Sequence, residues 1–143
     1  MTRFVLGMLA YALPTFALGL VWHLILFKSY YDALAIYRSD IIIPFGFFAI
    51  LIQATIFAWV YEKGFAGRGR TLWSQTLAYA AFGASLSWTY TTLAVAAKNV
   101  MTSVPDYLLI ETAFTIVQWA MVAPLTVLAF RQPMALRARS ELS

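Results

Sequence analysis

Residues 108–130 read LLIETAFTIVQWAMVAPLTVLAF, twenty-three positions with one charged side chain, Glu111. A helix needs about 20 apolar residues to cross a hydrocarbon layer roughly 30 Å thick, so this run is long enough to span a bilayer. Three further runs of similar length precede it, at about residues 4–27, 41–61 and 72–97. Composition points the same way. The chain has 143 residues, 62% hydrophobic and only 11% charged, where soluble domains carry about a quarter charged residues. Its mean hydropathy is +0.77. The expected fold class is therefore all-α, a polytopic membrane protein with an antiparallel four-transmembrane-helix bundle. A single transmembrane domain is expected over residues 1–143, with a short tail from Arg131 to Ser143.

The segments between the runs are Lys28 to Asp40, Glu62 to Thr71 and Lys98 to Tyr107. Connections this short return the chain directly, so consecutive helices are expected to be antiparallel neighbours, with the first and last also in reach of each other. Gly19 and Trp22 against Gly83 and Trp88 suggest an internal echo, but the Gly-to-Trp spacing differs and no repeat is inferred.

Charge fixes an expected orientation. Arg3, Lys63, Arg68, Arg70, Arg131, Arg137 and Arg139 fall on one side of the four runs, and Lys28, Arg38 and Lys98 on the other. Positive residues favour the cytoplasmic side, which places both termini in the cytoplasm. Because the basic residues flank apolar runs and do not gather on one polar face, no nucleic-acid partner is expected. Arg3 before an apolar run resembles a signal peptide, but the run is long and lacks a small-x-small cleavage site, so an uncleaved first helix is expected. The absence of cysteine removes disulfides and thiolate chemistry.

Local signals mark several boundaries. Ser103, Pro105 and Asp106 read as an N-cap serine, a first-turn proline and an acid three residues after the cap. Asp40 or Ser39 is the expected cap of the second helix, with Pro44 in its first turn. Pro14 and Pro124 fall inside helices, where membrane neighbours can satisfy the freed carbonyl. In SYYDALAIYRSD (29–40), Tyr30, Leu34 and Tyr37 share a helical edge. That edge is expected to lie on the outer membrane surface, with Asp32 and Arg38 turned to water.

The informative side chains are those costly to place in lipid. Measured at 1.5 Å per residue, His23 and Glu111 lie at similar depth in the outer halves of the first and fourth helices, where they can form a charged, hydrogen-bonded pair. His23 shares a stripe with Ala12, Phe16 and Gly19, and Glu111 one with Thr115, Gln118 and Val122. The third helix adds the small or hydroxyl stripe Thr76, Ala80, Gly83, Ser87, Thr91 and Ala94, which lets backbones approach closely. The second adds Gly46, Ala49 and Gln53. Gln, Ser and Thr in such bundles commonly serve as interhelical hydrogen-bond glue, whereas an ionisable residue within a span is a functional candidate by default. The candidate ligand-binding residues are His23, Glu111, Gln118, Ser87, Trp88 and Tyr90, around an outer-half polar cavity. For Trp88 and Trp119 the plain alternative is core filling with a bonded indole N–H.

Familiar catalytic patterns are not met. One histidine and one intramembrane glutamate fall short of a metal site, and bis-histidine haem ligation would need His23 from two protomers. No strand precedes a Gly-rich phosphate loop. Ser87, His23 and Glu111 supply the residue types of a hydrolytic triad without a nucleophile elbow. No catalytic residue and no cofactor is assigned.

Two stretches, WHLILFKSYYD (22–32) and LLIETAFTIVQWAMVAPL (108–125), resemble small four-helix bacterial inner-membrane proteins classed only as domains of unknown function. The resemblance extends over nearly the whole chain and implies the four-helix fold, but no activity and no functional residue. Three functions are expected from the residues themselves. The first is non-enzymatic binding of a small apolar or lipid-like ligand, or docking on a membrane partner or second copy. The second is proton-responsive transport through His23 and Glu111, and the third is a membrane enzyme with that pair as acid and base.

Overall fold

Each of the four apolar runs folds as helix. The computed structural model describes residues 2–69 and 71–140, with backbone alone for 132–140. Arg70, the side chains of Arg137 and Arg139, and residues 141–143 lie outside the described residues. The first run forms α1 (Thr2–Val21), which passes straight into a π-helical turn, Trp22–Leu26. A short α2 (Lys28–Leu34) follows, then α3 (Ile43–Gly64). The third run is one continuous rod, α4 (Leu72–Ser87), a second π-helical turn at Trp88–Leu93, and α5 (Ala94–Lys98). The last helix, α6 (Val104–Ser140), extends well beyond the expected end at Phe130. No strand occurs among the described residues.

Helix starts show how local chemistry sets boundaries. The Ser103 hydroxyl accepts from the Asp106 amide at 3.3 Å, which satisfies one of the amides left open at the start of α6. Thr71 does the same for Ser74 at the start of α4. For α3 the expected cap is corrected: Ile42 occupies the cap position with no side-chain bond, and Pro44 sits in the first turn. Asp40 is instead held by Arg38, whose Nε and Nη2 donate to the two carboxylate oxygens at 3.0 and 3.1 Å. Between α3 and α4 the chain turns through Gly67 and Gly69 at φ values of +72° and +63°, a conformation that costs glycine little.

Helix α1 lies between α3 and α6, and α4 packs on α6. Along α1, Gly7 meets Phe130, Thr15 meets Gln118 and His23 meets Glu111, so the two helices run in opposite senses. Tyr11 meets Phe57 and Phe16 meets Phe47 in the same reversed order across α1 and α3. Across α4 and α6, Gln75 meets Arg131, Ser87 meets Trp119 and Tyr107 reaches the Thr91 carbonyl. Side chains link α3 to α4, where the Tyr79 hydroxyl donates to the Phe57 carbonyl at 3.1 Å.

The core is a layer of aromatic rings. Tyr11, Phe57, Tyr79 and Trp119 are each at most 2% exposed. Their rings meet at centroid distances of 4.9 to 5.8 Å, a range suited to tilted and edge-on contacts. Trp119 reaches this position because Gly83 has no side chain: a Cβ there would lie 2.0 to 2.3 Å from three atoms of its indole. The indole N–H is satisfied by Ser87 Oγ at 3.1 Å.

Polarity is arranged inside out. Leu13, Ile25, Phe45, Phe48, Ile56, Leu109 and Ile116 are exposed, while Gln75, Glu111, Thr115, Gln118 and Thr126 are buried. Water would reject that outer surface and lipid accepts it. Three stretches, Thr2–Leu26, Ile43–Gly64 and Val104–Arg131, are long and apolar enough to cross a membrane. The helix over the third run is not among them, because Gln75 and a series of serines and threonines dilute its hydropathy.

Candidate functional site

His23 sits in the π-helical turn that ends the first rod. There the Phe27 amide reaches back five residues to the Trp22 carbonyl at 3.0 Å, and the widened turn carries an extra residue in the helix, a feature common at functional positions. His23 Nδ1 lies 2.9 Å from the Gly19 carbonyl. A carbonyl only accepts, so Nδ1 carries a hydrogen. On the other side Nε2 lies 3.3 Å from Glu111 Oε1. The same oxygen accepts from the Tyr31 hydroxyl at 2.6 Å.

These contacts limit the protonation states. Nε2–H can donate to a Glu111 carboxylate, or a Glu111 carboxylic acid can donate to a bare Nε2. Either way one mobile proton is held between the two groups, and its loss would set two lone pairs against each other.

Tyr31 was not singled out in the sequence. The structure also corrects the expected orientation of its segment: α2 turns its buried face, Tyr31 and Leu34, onto Tyr107 and Ile110 of α6. Leu34, expected on the outward edge, is therefore packed inside the protein. The segment is tied down at Thr102, whose amide and hydroxyl donate to the carbonyls of Leu34 and Ala33 at 3.1 and 2.8 Å. Tyr31 is fully buried and stacks on Tyr37, with centroids 5.2 Å apart and planes 17° apart. Burial first, and the neighbouring Glu111 second, push the Tyr31 hydroxyl far above the usual tyrosine range. The same two causes raise Tyr37. A helical spacing of three between Tyr31 and Leu34 was the available signal, and the competing stripe through Tyr30, Leu34 and Tyr37 masked it.

Below the pair is a cavity of about 240 Å³. His23, Glu111, Gln118, Ser87 and Tyr90 line it, as does Gln53. The Gln118 amide donates to the Tyr11 hydroxyl and Thr15 Oγ1, both at 3.4 Å, and Tyr11 donates to Gln53 at 3.3 Å. Trp88 is not part of this lining: its indole donates to Thr112 Oγ1 at 2.9 Å, between α4 and α6.

Two more recesses reach His23. One is an apolar groove of about 360 Å³ between α1 and α3, formed by Phe16, Leu20, Ile43 and Ile50 and lined also by Gly19 and Gly46. The other is a polar recess of about 360 Å³ beside α2, lined by Lys28, Asp32, Tyr37 and Arg38. His23 fronts all three spaces. Among the described residues no group of three or more His, Cys, Asp or Glu could hold a metal.

At the opposite end, Gln75 is nearly buried and its Oε1 accepts from Tyr61 at 3.2 Å and from Arg131 Nε and Nη2 at 3.2 and 2.9 Å. A recess of about 570 Å³ there is lined by Arg3, Glu62, Gln75 and Arg131. No family model, curated protein or solved structure matches the chain, and its function has to be read from the geometry of these sites.

Proposed function

We propose that the chain is a four-transmembrane-helix bundle of a bacterial cytoplasmic membrane, termini inside, that binds a small amphiphile without transforming it. The polar group of the ligand occupies the cavity beside Glu111 and its apolar chain lies in the groove between α1 and α3. The observation that carries this reading is the shared wall: Gly19, His23 and Ile50 line both the polar cavity and the apolar groove. A ligand apolar at one end and polar at the other fills both, and pockets of this kind combine apolar walls with a few convergent polar groups.

Gly46 provides the test. A Cβ added there meets nothing within 4 Å, so Gly46→Phe fills the groove without distorting the backbone. Wild-type protein purified in mild detergent is expected to carry an amphiphile detectable by mass spectrometry after solvent extraction, and Gly46→Phe to lose it. Equal recovery from both proteins, or none from wild type, would sink the reading.

A second reading is supported by the single mobile proton at His23 and Glu111, next to both the polar recess and the cavity. On that reading the chain is a proton-responsive transport subunit. Liposomes with wild-type protein should then show a pH-driven flux that His23→Ala abolishes.

A further inference from the structure

The polar cavity has a one-sided charge inventory. Among the described residues Glu111 is its only acid, His23 its only base of the neutral range, and no lysine or arginine lines it. Both hydrogen bonds to the carboxylate fall on Oε1, and Oε2 receives none from the described residues. Glu111 is 7% exposed, and it lines the cavity, where an entering donor would meet its carboxylate. An anion entering the cavity would meet Glu111 with no guanidinium or ammonium to offset it. A protonated amine would meet a free carboxylate oxygen, the rings of Tyr90 and Phe114, and the acceptor Oε1 of Gln53. Aromatic faces beside a carboxylate are the chemistry that holds organic cations.

From this arrangement we propose that the ligand's polar group is a primary or secondary ammonium, and that its binding expels the proton shared by His23 and Glu111. The proposal rests on the amphiphile reading of the same site. In the low-dielectric interior one carboxylate balances one positive charge, and an ammonium added to an imidazolium leaves one charge uncompensated. An ammonium with two N–H bonds resolves this by donating one to the carboxylate and one to bare Nε2. The Nε2–H bond breaks, its electron pair stays on nitrogen, and the proton passes to water in the recess that His23 also lines. One cation enters, one proton leaves, and the net charge of the site is unchanged.

The surrounding groups leave this exchange to the pair. From α1 come His23 and Tyr11, and from α6 Glu111 and Tyr107. Tyr90 follows α4, while α3 contributes only uncharged Ile50 and Gln53. Over the site stand Tyr31 and Tyr37, flanked by Lys28 paired with Asp32 and Arg38 paired with Asp40.

The test is titration calorimetry on the full chain in detergent micelles, with protein-free micelles subtracted. The probes are butylammonium, its trimethyl quaternary analogue and butyrate, in two buffers of different ionisation heat. Butylammonium is expected to bind with release of one proton, read as the difference in apparent enthalpy between the two buffers. The quaternary analogue, lacking N–H, should bind at least tenfold more weakly and butyrate not at all. Glu111→Gln should abolish binding. Because that variant can also disturb the fold, His23→Gln is the second arm: butylammonium binding retained, with its preference over the quaternary analogue reduced because the Nε2 acceptor is gone. Butyrate binding, or butylammonium binding by wild type without proton release, overturns the proposal. Lipid that co-purifies with wild type and is lost in Gly46→Phe, together with no butylammonium binding, overturns it while leaving the amphiphile reading standing.

Discussion

Replacing Tyr31 with phenylalanine removes one oxygen and leaves the ring. The ring's contacts with Tyr37 and His23, at 5.2 and 4.8 Å, should survive. What is lost is the 2.6 Å bond to Glu111, a bond to an ionisable group at a fully buried position. Hydrogen bonds to charged groups are worth roughly 1.5–3 kcal/mol, and interhelical bonds in membranes run lower, at most about 1.7. Tyr31 lies outside the apolar spans, so a cost of about 2 kcal/mol is expected at pH 7. The dependence on pH sharpens the test. The Tyr31 hydroxyl is raised in the folded chain by burial and by Glu111, so the native state holds that proton more tightly than the unfolded state. Its stabilisation is therefore complete below the unfolded value of about 10 and declines as pH rises beyond it. Phenylalanine has nothing to titrate, so the difference between wild type and Tyr31→Phe should be constant between pH 7 and pH 9 and shrink above pH 10. Equilibrium unfolding in mixed micelles of mild detergent and dodecyl sulfate, followed by helicity, measures this. A difference below about 0.5 kcal/mol at pH 7, or one that stays constant to pH 11, would refute the reasoning.

Two substitutions away from the site test the packing that supports it. Gly83→Ala places a methyl within 2.3 Å of the Trp119 indole, whose ring is pinned by Ser87 and the aromatic layer, and should cost about 2 kcal/mol or more. Gly46→Ala, which meets open space, should leave the unfolding midpoint within error, and equal midpoints for the two variants would contradict the Gly83–Trp119 contact. Gln75→Leu strips Tyr61 and Arg131 of the acceptor they share and should cost about 2–3 kcal/mol. Gln75→Glu, which still accepts, should recover most of that loss in the same assay.

The helices were legible because length and hydropathy act over twenty residues at a time, and small local errors average out. That His23 and Glu111 lie level with each other followed from the same counting, since 1.5 Å per residue needs no tertiary information. Features set by a few residues in three dimensions were not legible. Trp22 and Trp88 each begin a π-helical turn, yet nothing in their local sequence distinguishes such a turn from an ordinary one. Tyr31 lies beside the stripe of Tyr30, Leu34 and Tyr37, and the choice between facing lipid and facing Glu111 depends on how far α2 folds back. Asp40 has the chemistry of a cap, but Arg38 two residues away competes for it and takes both carboxylate oxygens. Gly83 and Trp119 each stood out separately, one as a small residue and the other as a core filler. That one makes room for the other became apparent only from their contact.

That contact also bears on what the site can do. Between the cavity at His23 and the recess at Arg131 lies the layer of Tyr11, Phe57, Tyr79 and Trp119, each almost completely buried. Tyr11 faces both worlds: its ring belongs to the layer, while its hydroxyl bonds to Gln53 and Gln118 on the cavity side. On the other side the next polar cluster is Gln75 with Tyr61 and Arg131. The aromatic layer therefore separates the cavity from the recess at Arg131. Passage to the far end would require the Trp119 indole to leave Gly83 and break its bond to Ser87. Moving a ring packed against three others in a close-packed interior is a discrete rearrangement, not a small deformation. Any transport cycle in this chain thus has to move Trp119, and a substitution that enlarges residue 83 acts on the barrier between the two ends before it acts on the site itself.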